Sequence, residues 1–119
     1  MFMLDGYTIT LSRGDTGAIK IIADTDYEFV STDRALFSIK NANGEVVKQQ
    51  AFALDENNAF VVTFNNSDTD SLPPSACSWD VRYVINPYYD SNGNIVDGDQ
   101  VITPRQPMTM NILQVVGEV

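Results

Sequence analysis

The side chains here that could do chemistry are one cysteine, a group of aspartates and a pair of adjacent tyrosines; the sequence has no histidine. Without histidine the commonest general base and the usual catalytic metal ligand are missing. Cys77 therefore has no imidazole to activate it, and a thiol on an apolar face behaves as a small hydrophobe. Asp90-Ser91-Asn92-Gly93-Asn94 starts like an EF-hand loop, with oxygen ligands at alternate positions. The glycine required at the sixth position is Ile95, however, and the bidentate glutamate of the twelfth is Val101. A calcium site of another kind could still draw on Asp90, Asp97 and Asp99; the competing reading is a solvated loop with turns at Asn92-Gly93 and Asp97-Gly98. Asp68 and Asp70 pose the same choice. Paired carboxylates can hydrolyse glycosides, but no two acids are obviously set across a cleft. Phosphate-binding glycine loops and zinc spacings are absent. These residues predict a non-enzyme without cofactor or resident metal.

Two further stretches are candidates for contact. Arg13-Gly14-Asp15-Thr16 contains the integrin-recognition tripeptide, which recurs by chance. Between two strands its glycine supplies a turn and its aspartate can bond backbone N–H groups, so a structural turn is the expectation. Tyr88-Tyr89, beside Pro87, could meet a sugar or a protein, with one of the two rings expected to pack against the domain edge.

The element that must position these groups is Ala76 to Ile85. Cys77, Trp79, Val81, Tyr83 and Ile85 share one parity; Ser78, Asp80 and Arg82 share the other. Alternation of this kind marks a strand with one apolar face. Trp79, the single tryptophan, lies at the centre of that face, and Trp79, Val81 and Tyr83 are the expected core.

Further strands are expected at Tyr7–Leu11, Ala18–Ala23, Arg34–Lys40, Glu45–Ala53, Ala59–Phe64 and from Met108 to Val116, with a short one at Val101-Ile102. Asn43-Gly44 reads as a hairpin turn. The first two strands could pair as a hairpin or pass between two sheets. Asp24 to Asp33 reads as irregular chain that anchors an aromatic. Asn65 to Ser75 reads as loop, with Pro73 and Pro74 ending any sheet pairing. Pro87 to Tyr89 leaves the organising strand, and Asp90 to Gln100 reads as a second loop. Seven to eight short strands without a helical period predict an all-β, immunoglobulin-like antiparallel β-sandwich, one domain over residues 1–119.

The formal charge of −9 at pH 7 disfavours nucleic acid and anionic membrane as partners. No apolar run approaches the ~20 residues of a membrane span, and the first five residues lack a signal peptide's pattern. One cysteine precludes an intrachain disulfide. Together these predict synthesis in the cytoplasm.

Three pieces line up in order: Ile9-Thr10-Leu11-Ser12-Arg13-Gly14-Asp15-Thr16 before the strand Ala18–Ile21; Asp68-Thr69-Asp70-Ser71-Leu72-Pro73 before Trp79-Asp80-Val81-Arg82-Tyr83; and Asn92-Gly93-Asn94-Ile95-Val96, Thr103-Pro104 and a closing strand ending in Val115-Val116-Gly117. This resembles the small β-sandwich domains of tailed-phage virions, in particular the N-terminal domain of the baseplate upper protein family. Trp79 stands where tyrosine is usual there, and Pro87 to Asp90 is an insertion. The resemblance implies a phage or prophage structural protein of the tail or baseplate, made in the bacterial cytoplasm and carried in the virion. It would work by docking to other tail proteins or to itself, with the Arg13–Thr16 segment as a turn signature. The alternative is a bacterial adhesin or carbohydrate-binding sandwich using Tyr88, Tyr89 and the acidic loop, with or without calcium.

Overall fold

The computed structural model describes residues 2–23, 25–70, 76–103 and 108–113. These are all-β apart from one helical turn. The strands are β1 (Phe2–Asp5), β2 (Thr8–Ser12), β3 (Gly17–Ile22), β4 (Arg34–Lys40), β5 (Val46–Ala53), β6 (Ala59–Phe64), β7 (Ala76–Tyr89), β8 (Ile95–Ile102) and β9 (Met108–Leu113); α1 (Asn66–Asp70) precedes β7.

β7 is the organiser. It pairs with β4 along Ser78–Val84 on one edge. On the other edge it pairs first with β9, over Ala76–Trp79, and then with β8, over Tyr83–Tyr89. The larger sheet runs β1-β2-β9-β7-β4-β5, with β8 joined to β7, and β3 and β6 form a separate two-stranded sheet. The strands around Arg13–Thr16 thus pass between the sheets and do not form a hairpin. The sheet is mixed, because β2 and β9 run parallel. A parallel neighbour lets β2 and β9, nearly a chain length apart, close the sheet beside β7.

The two sheets share one core. Ile9, Leu11, Phe37, Ile39, Val62, Phe64, Trp79, Tyr83 and Met110 are among its buried members. Phe64 of the small sheet meets Phe37 at a ring-centroid distance of 6.0 Å, and Phe60 meets Tyr83 at 6.5 Å. Each such side chain contributes about 1.5–3 kcal/mol by leaving water. Trp79 lies 5.7 Å from Phe37 and its Nε1–H donates to the Tyr7 carbonyl at 3.1 Å. The core aromatic therefore also holds the β1–β2 turn.

The apolar parity of β7 is buried from Cys77 to Ile85, but the other parity is not simply solvated: Arg82 is exposed, while Asp80 and Val84 are buried. Phe2–Asp5 is an additional strand, antiparallel to β2. Three further expectations need correction. Asn65 begins a helical turn: Asn65 Oδ1 accepts the Asp68 N–H at 2.9 Å and Asp68 Oδ2 accepts the Asn65 N–H at 2.9 Å. That reciprocal pair is a capping box. Pro87-Tyr88-Tyr89 continues β7, and Ile95–Ile102 is a full strand where a polar loop was expected. Proline is admissible there because β4 pairs no further than Val84, leaving β7 a sheet edge. Pro73, Pro74, Pro104 and residues 114–119 lie outside the described residues.

Candidate functional site

The candidate residues fall in two places. The Arg13–Thr16 turn closes with the Asp15 N–H donating to the Ser12 carbonyl at 3.0 Å, while Asp15 Oδ2 accepts the Ser12 N–H at 3.0 Å. Gly14 adopts φ +86°, a conformation that favours glycine. The turn is then held from above by α1. Asn66 Nδ2 donates to the Gly14 carbonyl at 2.7 Å, and Thr69 Oγ1 donates to the Asp15 carbonyl at 2.7 Å. Thr69 is fully buried, and Arg13, Gly14 and Asp15 are half-buried. An adhesive tripeptide must present its arginine and aspartate together; here the aspartate is turned back on its own loop.

The second place is the far end of β7. Beyond Ile85, β8 is its one strand neighbour among the described residues, so Asn86–Tyr89 and Ile95–Asp99 form a two-stranded arm. Tyr88 and Tyr89 are 47% and 51% exposed, so neither ring packs away as one was expected to. Val96 and Val101 are exposed too. The arm's base is fixed through Asn86 and Asp33, which the sequence does not single out. Asn86, at φ +48°, gives its N–H to Asp33 Oδ1 at 3.0 Å and its Nδ2–H to Asp99 Oδ2 at 2.9 Å. Tyr88 OH donates to Asp99 Oδ1. Gly98 is required because a Cβ there would stand 2.5 Å from Val84 Cγ1 and 2.8 Å from the Ile85 carbonyl oxygen.

The three aspartates weighed as calcium ligands are separately engaged. Asp90 Oδ1 accepts the N–H groups of Asn92 and Asn94 at 2.9 and 3.0 Å, which shapes the arm's tip. Asp97 Oδ1 takes the Gly98 N–H at 2.8 Å. Asp99 serves Asn86 and Tyr88. Among the described residues no group of three cysteines or acids converges as a metal site would require.

Two acids are held below the ordinary carboxylate value of 3.8, both for structural reasons. Asp55 is lowered first by the Ala59 N–H and then by the Asn57 N–H, which it accepts across the β5–β6 turn. Asp68 is lowered chiefly by the Asn65 N–H of the capping box, with a smaller part from Lys48, whose ammonium lies 3.2 Å away. Cys77, Trp79, Val81 and Tyr83 are buried in the core. No helix among the described residues is long and apolar enough to cross a membrane.

Chemically, the arrangement offers contact surface and neutral or acidic hydrogen-bonding groups. Comparison with protein-family models, characterised proteins and solved structures finds no match for this chain.

Proposed function

We propose that this chain is a non-enzymatic structural subunit of a phage or prophage virion, a tail or baseplate component with an immunoglobulin-like β-sandwich, that acts by docking to other proteins. It would be made in the bacterial cytoplasm and end in the virion. The observation that carries the docking reading is the β7–β8 arm, which holds Tyr88, Tyr89 and Val96 exposed on a two-stranded extension tied down at its base. Tyrosine is enriched where proteins meet because it brings large area at small entropic cost. The tail assignment rests on the sequence resemblance, from the Arg-Gly-Asp-Thr turn to the closing strand.

The adjacent exposed tyrosines also favour a second reading, an adhesin or carbohydrate-binding domain, since aromatic faces receive sugars as well as proteins. Light scattering over a wide concentration range, with calcium and then with chelator, combined with a glycan array, separates the two. Docking predicts a mass indifferent to calcium and no glycan retained. A calcium-dependent mass or a glycan bound through Tyr88 and Tyr89 would overturn it in favour of the adhesin.

A further inference from the structure

The arm's exposed side chains have a one-sided chemistry. From Asn86 to Thr103 there are three aspartates and no lysine or arginine. Among the described residues none of Asp90, Asp97 and Asp99 is ion-paired; their partners are backbone N–H groups, the Asn86 amide and the Tyr88 hydroxyl. Neutral donors leave the negative charge in place. Tyr88 stands opposite Asp97 and bonds Asp99, Tyr89 follows it on the strand, and both rings are about half exposed.

Guanidinium satisfies both features at once. Its planar fork matches a carboxylate, and its face stacks on an aromatic ring, which an ammonium does less well. We propose that the arm seats on an arginine-bearing surface of a different protein chain. A second copy of this chain is a poor occupant. Each copy carries −9, with seven basic residues in all and none on the arm, so arm-to-arm contact would set acid against acid. The proposal rests on the docking reading and supplies the partner's chemistry.

The test uses the whole chain, with octaarginine and octalysine as probes, followed by amide chemical shifts. The expected result is saturable shifts concentrated on residues 86–99, weakened as salt rises from about 50 to about 300 mM, with octaarginine bound several-fold tighter than octalysine. Replacing both rings, Tyr88→Ser with Tyr89→Ser, should erase the arginine preference while leaving salt dependence intact. Asp97→Asn should weaken both probes alike. Shifts spread over every acidic loop, equal affinity for the two peptides, the same shifts from calcium alone, or an arm-dependent dimer would each overturn the proposal. Failure of the virion assignment would leave these titrations unchanged, so the two can fail separately.

Discussion

Asp33 Oδ1 accepts the Asn86 N–H at 3.0 Å, across 53 residues of chain, while Asp33 Oδ2 accepts the Val30 N–H at 2.8 Å. One buried carboxylate thus joins the irregular stretch before β4 to the point where β7 runs past β4. Asn86 also has a positive φ of +48°, so Asp33 holds the residue at which the arm begins. Replacing Asp33 by alanine leaves two N–H groups without their acceptor. Bonds to charged groups contribute about 1.5–3 kcal/mol each, so Asp33→Ala should destabilise the fold by about 3 kcal/mol or more. Urea denaturation checks the magnitude, and hydrogen exchange should rise first in residues 86–99.

Trp79 should be read by two substitutions. Trp79→Ala opens the core and should cost about 3–5 kcal/mol. Trp79→Phe keeps most of the apolar contact but removes the bond from Nε1 to the Tyr7 carbonyl. It should cost less, about 1–3 kcal/mol, and loosen β1 and β2 more than β4. Denaturation followed by circular dichroism gives the totals, and exchange at Met3 and Thr10 gives the local effect.

Gly98 and Gly17 lie against different neighbours. At Gly98 an added methyl would press on the Ile85 carbonyl at 2.8 Å, which the strand pairing cannot release, so Gly98→Ala should destabilise by about 1–3 kcal/mol. At Gly17 the methyl would enter the Phe2 ring, with a nearest approach of 2.4 Å. Phe2 belongs to the terminal edge strand. The pair Gly17→Ala with Phe2→Ala should therefore be less destabilised than the sum of the single changes, a non-additivity that a double-mutant cycle measures directly.

Acid should weaken the fold in a definite direction. The carboxyls of Asp55 and Asp68 have folded pKa values below the ordinary 3.8, through accepted backbone N–H bonds. Groups depressed on folding contribute stability that is present above the unfolded value and is lost as pH falls through the folded one. The melting temperature should therefore hold from neutral pH to about 4 and fall below it. Asp55→Asn with Asp68→Asn should start lower and show a shallower acid decline. An unchanged acid slope in the double variant would contradict this assignment.

The parts legible in the sequence are those governed by local alternation. Ala59–Phe64 and Arg34–Lys40 declare themselves by period two and flanking turns, and the apolar parity of Cys77 to Ile85 predicts its burial. What local pattern misses depends on tertiary context. Pro87 reads as a strand end unless it is known that β4 stops pairing at Val84. Asp97-Gly98 reads as a turn, whereas the glycine is there for close approach to Val84 and Ile85. A five-residue helix is too short to show a helical period, although Asn65 and Asp68, spaced three apart, carried its capping signal. The parallel pairing of β2 with β9 has no local signature at all. At the arm, Tyr88 and Tyr89 stand out in the sequence as candidates for contact, but Asp33 and Asn86, which hold the arm's base, are related only through the fold.

The most direct test of the account is the composition of tail particles. Particles banded by density gradient from an induced culture of a host carrying this gene, then quantified by mass spectrometry, should contain this chain in fixed proportion to the other tail proteins. Deleting the arm residues that present Tyr88 and Tyr89, with the remaining strands intact, should remove it from the band while leaving it folded in the lysate. Particles that form, band and infect without any of this chain would contradict the account.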